Sequence, residues 1–179
     1  MLFRSTSMEN IRAKVEEVCR VTGKPPVVFI DYLQMVAAPE GMESATDKQT
    51  TDRKILACKV MSRELGTPVI AISSLNRKSY YAPMALDSFK ESGSIEYSAD
   101  VVLGLQFPIM EQVKKEEDGR KVEQYVKENT AVREVEVKIL KNRNGGMAER
   151  PRYYFIPRLN LFIEMTEEEA QQARERGLK

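Results

Sequence analysis

The decapeptide VVFIDYLQMV, residues 27–36, constrains this chain more than any other stretch. An apolar run follows Pro25-Pro26 and stops at a carboxylate, Asp31. The run is too short for a separate helix and rich in β-formers, so it reads as a buried strand that ends near Asp31. A carboxylate at such a place either caps a following helix or meets a partner, often a metal-bound phosphate.

The sequence around this strand alternates between two periods. Residues 6–22 carry Met8, Ile11, Val15 and Val18 at helical spacing, with Thr6 and Glu9 set for a capping box and Gly23 as a stop. Residues 37–52 are polar and hold Pro39 and Gly41, which reads as a loop. Ile55, Cys58, Met61 and Leu65 then share one helical face, closed by Gly66 and Pro68, and the strand Pro68–Ser73 follows. A polar loop over 76–83 and short helical pieces over 86–98 lead to the apolar strand Val101–Phe107. Helix-strand alternation of this kind predicts a parallel sheet with helical crossovers.

The character changes after residue 107. Residues 108–133 hold a dense run of both charge signs with almost no core residues, the mark of a solvated insertion. Val135–Lys141, Tyr153–Ile156 and Leu161–Met165, separated by Asn144-Gly145-Gly146 and Leu159-Asn160, predict an antiparallel meander. Val135, Val137 and Ile139 alternate with Glu134, Glu136 and Lys138, which predicts one wet face. A surface helix is expected over 166–179, capped by Thr166 and Glu169.

Composition narrows the chemistry. A chain of 179 residues suits a single domain. With 28 basic and 27 acidic residues, attraction to nucleic acid has to come from local patches. The absence of histidine removes His-based general base catalysis and His-ligated zinc together. Cys19 and Cys58 fall in helical stretches far apart, which argues against a disulfide framework and for a reducing compartment. No apolar run reaches the ~20 residues of a membrane helix and no signal-peptide pattern opens the chain, so a cytoplasmic protein without membrane contact is expected.

Three further stretches accompany IDYLQ: AISSLNRK at 71–78, KESGSIEYSADVVL at 90–103 and ILKNRNGG at 139–146. Together and in this order they resemble the ATPase domain of DnaB-type replicative DNA helicases, RecA-like motors that encircle single-stranded DNA. The resemblance runs from about residue 5 to about residue 163. It implies an α/β fold, an incomplete RecA-like P-loop NTPase core whose mostly parallel sheet is flanked by helices and followed by an antiparallel meander. Asp31 then matches the Walker B carboxylate that orients Mg²⁺ through its waters, a role that suits oxygen ligands on a rigid strand end. Ser74 stands where the family has a glutamine that senses the γ-phosphate, and a serine is shorter by two bonds and lacks the amide. Lys90, Glu91 and Gly93 match the Arg-Glu-Ser-Gly loop that lines the DNA channel, with lysine keeping the charge but losing the bidentate fork. From the residues alone, Ser92-Gly93-Ser94 is either an anion-holding helix start or an ordinary turn. Lys141 and Arg143 match cations that reach a neighbouring subunit's γ-phosphate, an effect worth roughly 10³ to 10⁵ in rate in related phosphoryl transfers.

No Gly-x-x-x-x-Gly-Lys-Ser/Thr pattern occurs, and the Gly23-Lys24 pair runs into proline. In the family the P-loop, its helix and the water-activating glutamate all precede the segment matching residue 5, so the chain is expected to begin too late to contain them. The resemblance implies ATP and Mg²⁺ in the complete domain, with neither held tightly by this chain alone. It also implies single-stranded DNA and further helicase subunits, a hexameric ring in the family, as partners. The readings that follow are a part of a helicase motor, as a fragment or a truncated gene, or a non-catalytic derivative that binds DNA or docks onto a helicase ring. A RecA-family recombinase fits the 90–103 and 139–146 stretches less well. Loss of a central P-loop strand further predicts that Pro68–Ser73 and Val101–Phe107 pair directly, or that another chain covers them. Purified alone, the 179-residue chain is expected to show no Mg-ATPase activity; turnover that disappears in Asp31→Ala is the result that would contradict this.

Overall fold

Both glycines expected to stop helices do so in the left-handed region, with φ of 70° at Gly23 and 62° at Gly66, a conformation that costs glycine nothing. The computed structural model describes residues 6–42, 44–89, 93–113, 119–147 and 150–177. The chain divides into two compact units, one built from residues up to Asn76 with Phe89–Ala99, the other from Arg77–Ser88 with Asp100 onward.

The first unit opens with helix α1, Met8–Thr22. Its cap is Ser7 and not Thr6: the Ser7 hydroxyl accepts from the Asn10 N–H at 3.3 Å. Ser7 takes the extended backbone that a cap needs, so the expected Thr6–Glu9 box moves one residue on. Helix α2, Asp47–Leu65, begins inside the stretch expected to be loop. Thr46 and Gln49 explain why, because each side chain satisfies the other's backbone N–H, at 3.2 and 2.9 Å. Arg12 of α1 meets Glu64 of α2 at 2.6 Å on the exposed surface.

Strands β1, Val28–Ile30, and β2, Val69–Ala71, pair in parallel with Phe29 opposite Ile70. The ladder is extended by Ile72 N–H to Ile30 O and Leu33 N–H to Ile72 O, both 2.9 Å. Beneath the entry to the strands the Thr67 hydroxyl donates to the Pro26 carbonyl. A short helix α3, Gly93–Ser98, completes this unit and packs on α2. The β1–β2 pair is open on one face, with Phe29 73% and Ile70 49% exposed.

In the second unit β3, Val101–Gln106, β4, Arg133–Asn142, β5, Arg152–Ile156, and β6, Leu161–Glu164, form one antiparallel sheet in that order. The meander is the one expected, and Phe155 and Phe162 stack across β5 and β6 at 4.5 Å. The strand Val101–Phe107, expected in the parallel sheet, is instead an antiparallel partner of β4. Among the described residues β2 pairs with β1 alone and β3 with β4 alone, so the expected direct pairing of β2 and β3 does not occur. The two strands fall in different compact units, and β3 is an edge strand whose one paired side is taken by β4.

The expected wet face of β4 is not found, because Val135 on one face and Glu136 on the other are both buried. Glu136 is 1% exposed, while Leu103 and Leu105 on the apolar side of the neighbouring strand are 54% and 52% exposed. The cover for the polar face comes from the stretch expected to be a solvated insertion and from the C-terminal helix. Helix α4, Gly119–Glu128, buries Val122 to 2% exposure, and Phe107 and Tyr125 meet at 5.5 Å. Helix α5, Glu167–Gly177, carries the expected Thr166–Glu169 box and packs Ala170 and Ala173 with Met165 against Tyr154.

Cys19 and Cys58 are both free, and burial pushes the Cys58 thiol up to about 11. No helix among the described residues is long and apolar enough to cross a membrane. A Cβ on Gly104 would lie 2.6 Å from the Met84 sulfur and 3.3 Å from a Leu140 methyl. Gly104→Ala is therefore expected to lower stability by about 1–3 kcal/mol through overpacking, read as a lower urea midpoint at unchanged slope.

Candidate functional site

Because β1 and β2 run in parallel, their carboxyl ends share one edge, the edge at which open α/β sheets hold ligands. Asp31 stands there, exposed, immediately after the last β1 residue, and the Asp31–Tyr32 peptide is cis. The chain then turns through a short 3-10 segment, Leu33–Met35, anchored by Leu33, which is 2% exposed.

That turn delivers Gln34 to the end of β2. Its amide nitrogen donates to the Ser73 hydroxyl at 3.0 Å, and its carbonyl oxygen accepts from the Ser74 N–H at 3.3 Å and the Ser74 hydroxyl at 3.4 Å. One side chain thus ties the carboxylate-bearing strand end to Ser73 and Ser74 at the end of β2. Sequence reasoning missed Gln34, although it lies within the IDYLQ stretch; an amide three residues past the strand end gives no local sign of the strand it will bridge. Asp31 follows β1, and the Ser73 and Ser74 hydroxyls after β2 are both engaged with Gln34. Among the described residues no group of three or more His, Cys, Asp or Glu side chains could enclose a metal, and Asp31 is the carboxylate that follows β1 at this edge.

Lys90 and Glu91 lie outside the described residues. Gly93 is the first residue of α3, exposed, with open space where a Cβ would stand.

Lys141 and Arg143 belong to the second unit, at the far end of β4, while Asp31 and Ser74 belong to the first. Lys141 pairs in register with Val102, and Arg143 follows the strand. The Arg143 N–H donates to the Asp100 carbonyl at 2.8 Å and its guanidinium meets the Asp100 carboxylate at 3.1 Å, both side chains about half exposed. Backbone and side chain together fix where this guanidinium starts, while its exposure leaves it accessible to a stronger anion. Asn142 shapes the turn beyond: its amide donates to the Gly146 carbonyl at 3.1 Å and its oxygen accepts from the Asn144 N–H at 3.4 Å. A Cβ at Gly145 would lie 2.5 Å from that amide, so a larger residue there would displace the Asn142 side chain.

A family model described as the DnaB-like helicase C terminal domain matches residues 3–164. The replicative DNA helicase DnaB of Mycoplasma genitalium is 33% identical over 146 residues, covering 80% of this chain and 29% of that protein. Its counterpart from Geobacillus stearothermophilus is 31% identical over 165 residues, covering 90% of this chain and 32% of the relative. The chain therefore spans about a third of the length of these relatives. Among solved structures, one of an ATPase domain superposes with a TM-score of 0.71 at 27% identity, over 90% of this chain and 52% of that one. A DnaB-like replicative helicase, solved for its interactions with primase, superposes with a TM-score of 0.70 at 24% identity, over 90% of this chain and 36% of that one, a likeness of fold.

Gln34→Ala removes the acceptor of the Ser74 N–H. Amide exchange at Ser74 is expected to quicken about fivefold, the equivalent of about 1 kcal/mol, with the rest of the first unit unchanged; unaltered exchange at Ser74 would show that the brace carries no weight.

Proposed function

The chain belongs to the DnaB-like helicase C-terminal domain family, and on that premise we propose that it forms part of an ATP-driven motor that unwinds DNA during replication. The observation that carries this reading is the pair of parallel strand ends, Asp31 on one and Ser74 on the other, joined by Gln34. In the proposed role Asp31 orients the waters around Mg²⁺, and Gln34 and the two serines hold the strand end beside it in a fixed position. Bound Mg-ATP supplies the transferable phosphoryl group and the charge that these residues address. Lys141 and Arg143 act on a neighbouring subunit's site, where a guanidinium stabilises charge spread over three equatorial oxygens. Asp100 sets the resting position of Arg143, so a phosphate must compete with a half-exposed carboxylate, a weak rival in water. Lys90, Glu91 and Gly93 contact single-stranded DNA in this reading, and a ring of subunits brings the two kinds of site residue together. A phosphate-cradling segment is required as well, and the exposed Phe29 and Ile70 of the parallel pair give it an apolar surface to pack on.

One observation favours a second reading, a non-catalytic relative that binds DNA or docks on a helicase ring. The Ser74 hydroxyl is turned toward Gln34, so its reach to a γ-phosphate is short and already engaged.

A chimera separates the two readings. Residues 3–164 replace the matching segment of the Geobacillus stearothermophilus helicase, and DNA-stimulated ATP hydrolysis and unwinding are measured. The motor reading predicts activity that falls at least about 10²-fold in Asp31→Ala and in Arg143→Ala, and DNA stimulation that weakens in Lys90→Ala. A folded, ring-forming chimera with no ATPase activity would favour the second reading.

A further inference from the structure

The second unit contains a cavity of about 730 Å³ on the polar face of its sheet, within the size range of small-molecule sites. Four guanidinium groups line it, those of Arg150, Arg152, Arg174 and Arg176, against three carboxylates, Glu111, Glu134 and Glu136. Two of these carboxylates, Glu111 and Glu136, are held more closely by other groups. Glu111 takes Lys138 at 2.7 Å and Gln106 at 2.8 Å, and Glu136 takes Gln106 at 2.7 Å. Their separations from the arginines are longer: 3.6 Å from Arg150 to Glu111, 3.7 and 3.6 Å from Arg152 to Glu134 and Glu136, and 3.4 Å from Arg176 to Glu134. The lining therefore carries four guanidinium groups against three carboxylates, and Arg174 also donates to the Arg150 carbonyl at 3.3 Å.

An independent observation points the same way. The Arg152 side chain is 10% exposed, and its Nε has no hydrogen-bond partner among the described residues. Arg152 lines the cavity, and a buried guanidinium N–H without an acceptor is rare in a folded chain. The rest of the lining is suited to a flat, partly apolar group, with the rings of Tyr125 and Tyr154 beside Ile109 and Val132. Arginine forks match phosphate oxygens two at a time, and arginine and tyrosine faces stack on bases.

We propose that this cavity is a binding site for a nucleoside phosphate, with the phosphate on Arg152 and Arg174 and the base against the tyrosines. None of its lining residues belongs to the unit that carries Asp31. Helix α5, which supplies Arg174 and Arg176, lies beyond the residues that the family model matches, whereas Arg150, Arg152 and the two tyrosines lie within them.

Equilibrium dialysis of radiolabelled AMP against the full chain tests the proposal. Saturable binding is expected at one AMP per chain, unchanged in Asp31→Ala and competed by pyrophosphate but not by adenosine. Arg152→Gln and Arg174→Ala are each expected to weaken it by about tenfold to a hundredfold, at an unaltered circular dichroism spectrum. Arg174 is exposed on α5, so its variant carries the test if Arg152→Gln does not fold. The proposal is overturned if AMP does not bind at millimolar concentration, if binding is lost in Asp31→Ala but intact in the arginine variants, or if a glutamate-rich peptide binds in place of AMP.

Discussion

A single buried carboxylate organises the second unit. Glu136 sits 1% exposed in the middle of β4, opposite Gln106 on β3 and Arg152 on β5 in the registers of the two ladders. A carboxylate without water has to be met by donors, and removing a partner from a buried charge pair costs about 3–5 kcal/mol. Gln106 answers from one side with its amide N–H, and Arg152 approaches from the other. The same Gln106 accepts from the Met84 N–H at 2.8 Å and donates to Glu111, so the Arg77–Ser88 segment and the start of the charged stretch are bound to the sheet through it. Helices α4 and α5 can then close over what is formally the polar side.

This closure inverts the usual arrangement of a half-buried antiparallel sheet, which turns its apolar face inward. Here Leu103 and Leu105 remain half exposed while Glu136 is dry. The first unit has its own open apolar face at Phe29 and Ile70. Apolar surface of this kind marks places where a folded chain meets further protein. The solved ATPase domain that shares this fold is about twice as long as the part this chain covers.

The two units divide the proposed labour. The first presents a carboxylate and two hydroxyls at the ends of parallel strands, braced by Gln34, and the second presents Lys141 and Arg143 where β4 leaves the sheet. Each set is rigid for a local reason: a side-chain amide spanning two strand ends in one case, and in the other an Asn142-closed turn with Arg143 held on Asp100. Positioning of this kind is what phosphoryl transfer asks of a protein, since the nucleotide and its metal bring most of the chemistry.

Much of this was legible in residue order alone, because the relevant signals are local. Periodicity and chain-reversing glycines placed α1, the body of α2 and the carboxyl ends of both; a carboxylate after an apolar run placed Asp31; alternation and Asn-Gly turns placed the meander. The exact caps at Ser7 and Thr46 were less legible, since a hydroxyl becomes a cap only when its own backbone is extended. What the tertiary structure alone decided was which surfaces meet. The alternation along β4 shows that its two faces differ, but not that remote helices will cover the charged one. Nor could the order of residues reveal that β3 would pair with β4, that Gln34 would bridge to Ser73 and Ser74, or that four arginines from two distant stretches would share one cavity. These outcomes depend on register and packing between segments far apart in the chain, where a residue's partner is set by three-dimensional neighbours and not by its place in the sequence.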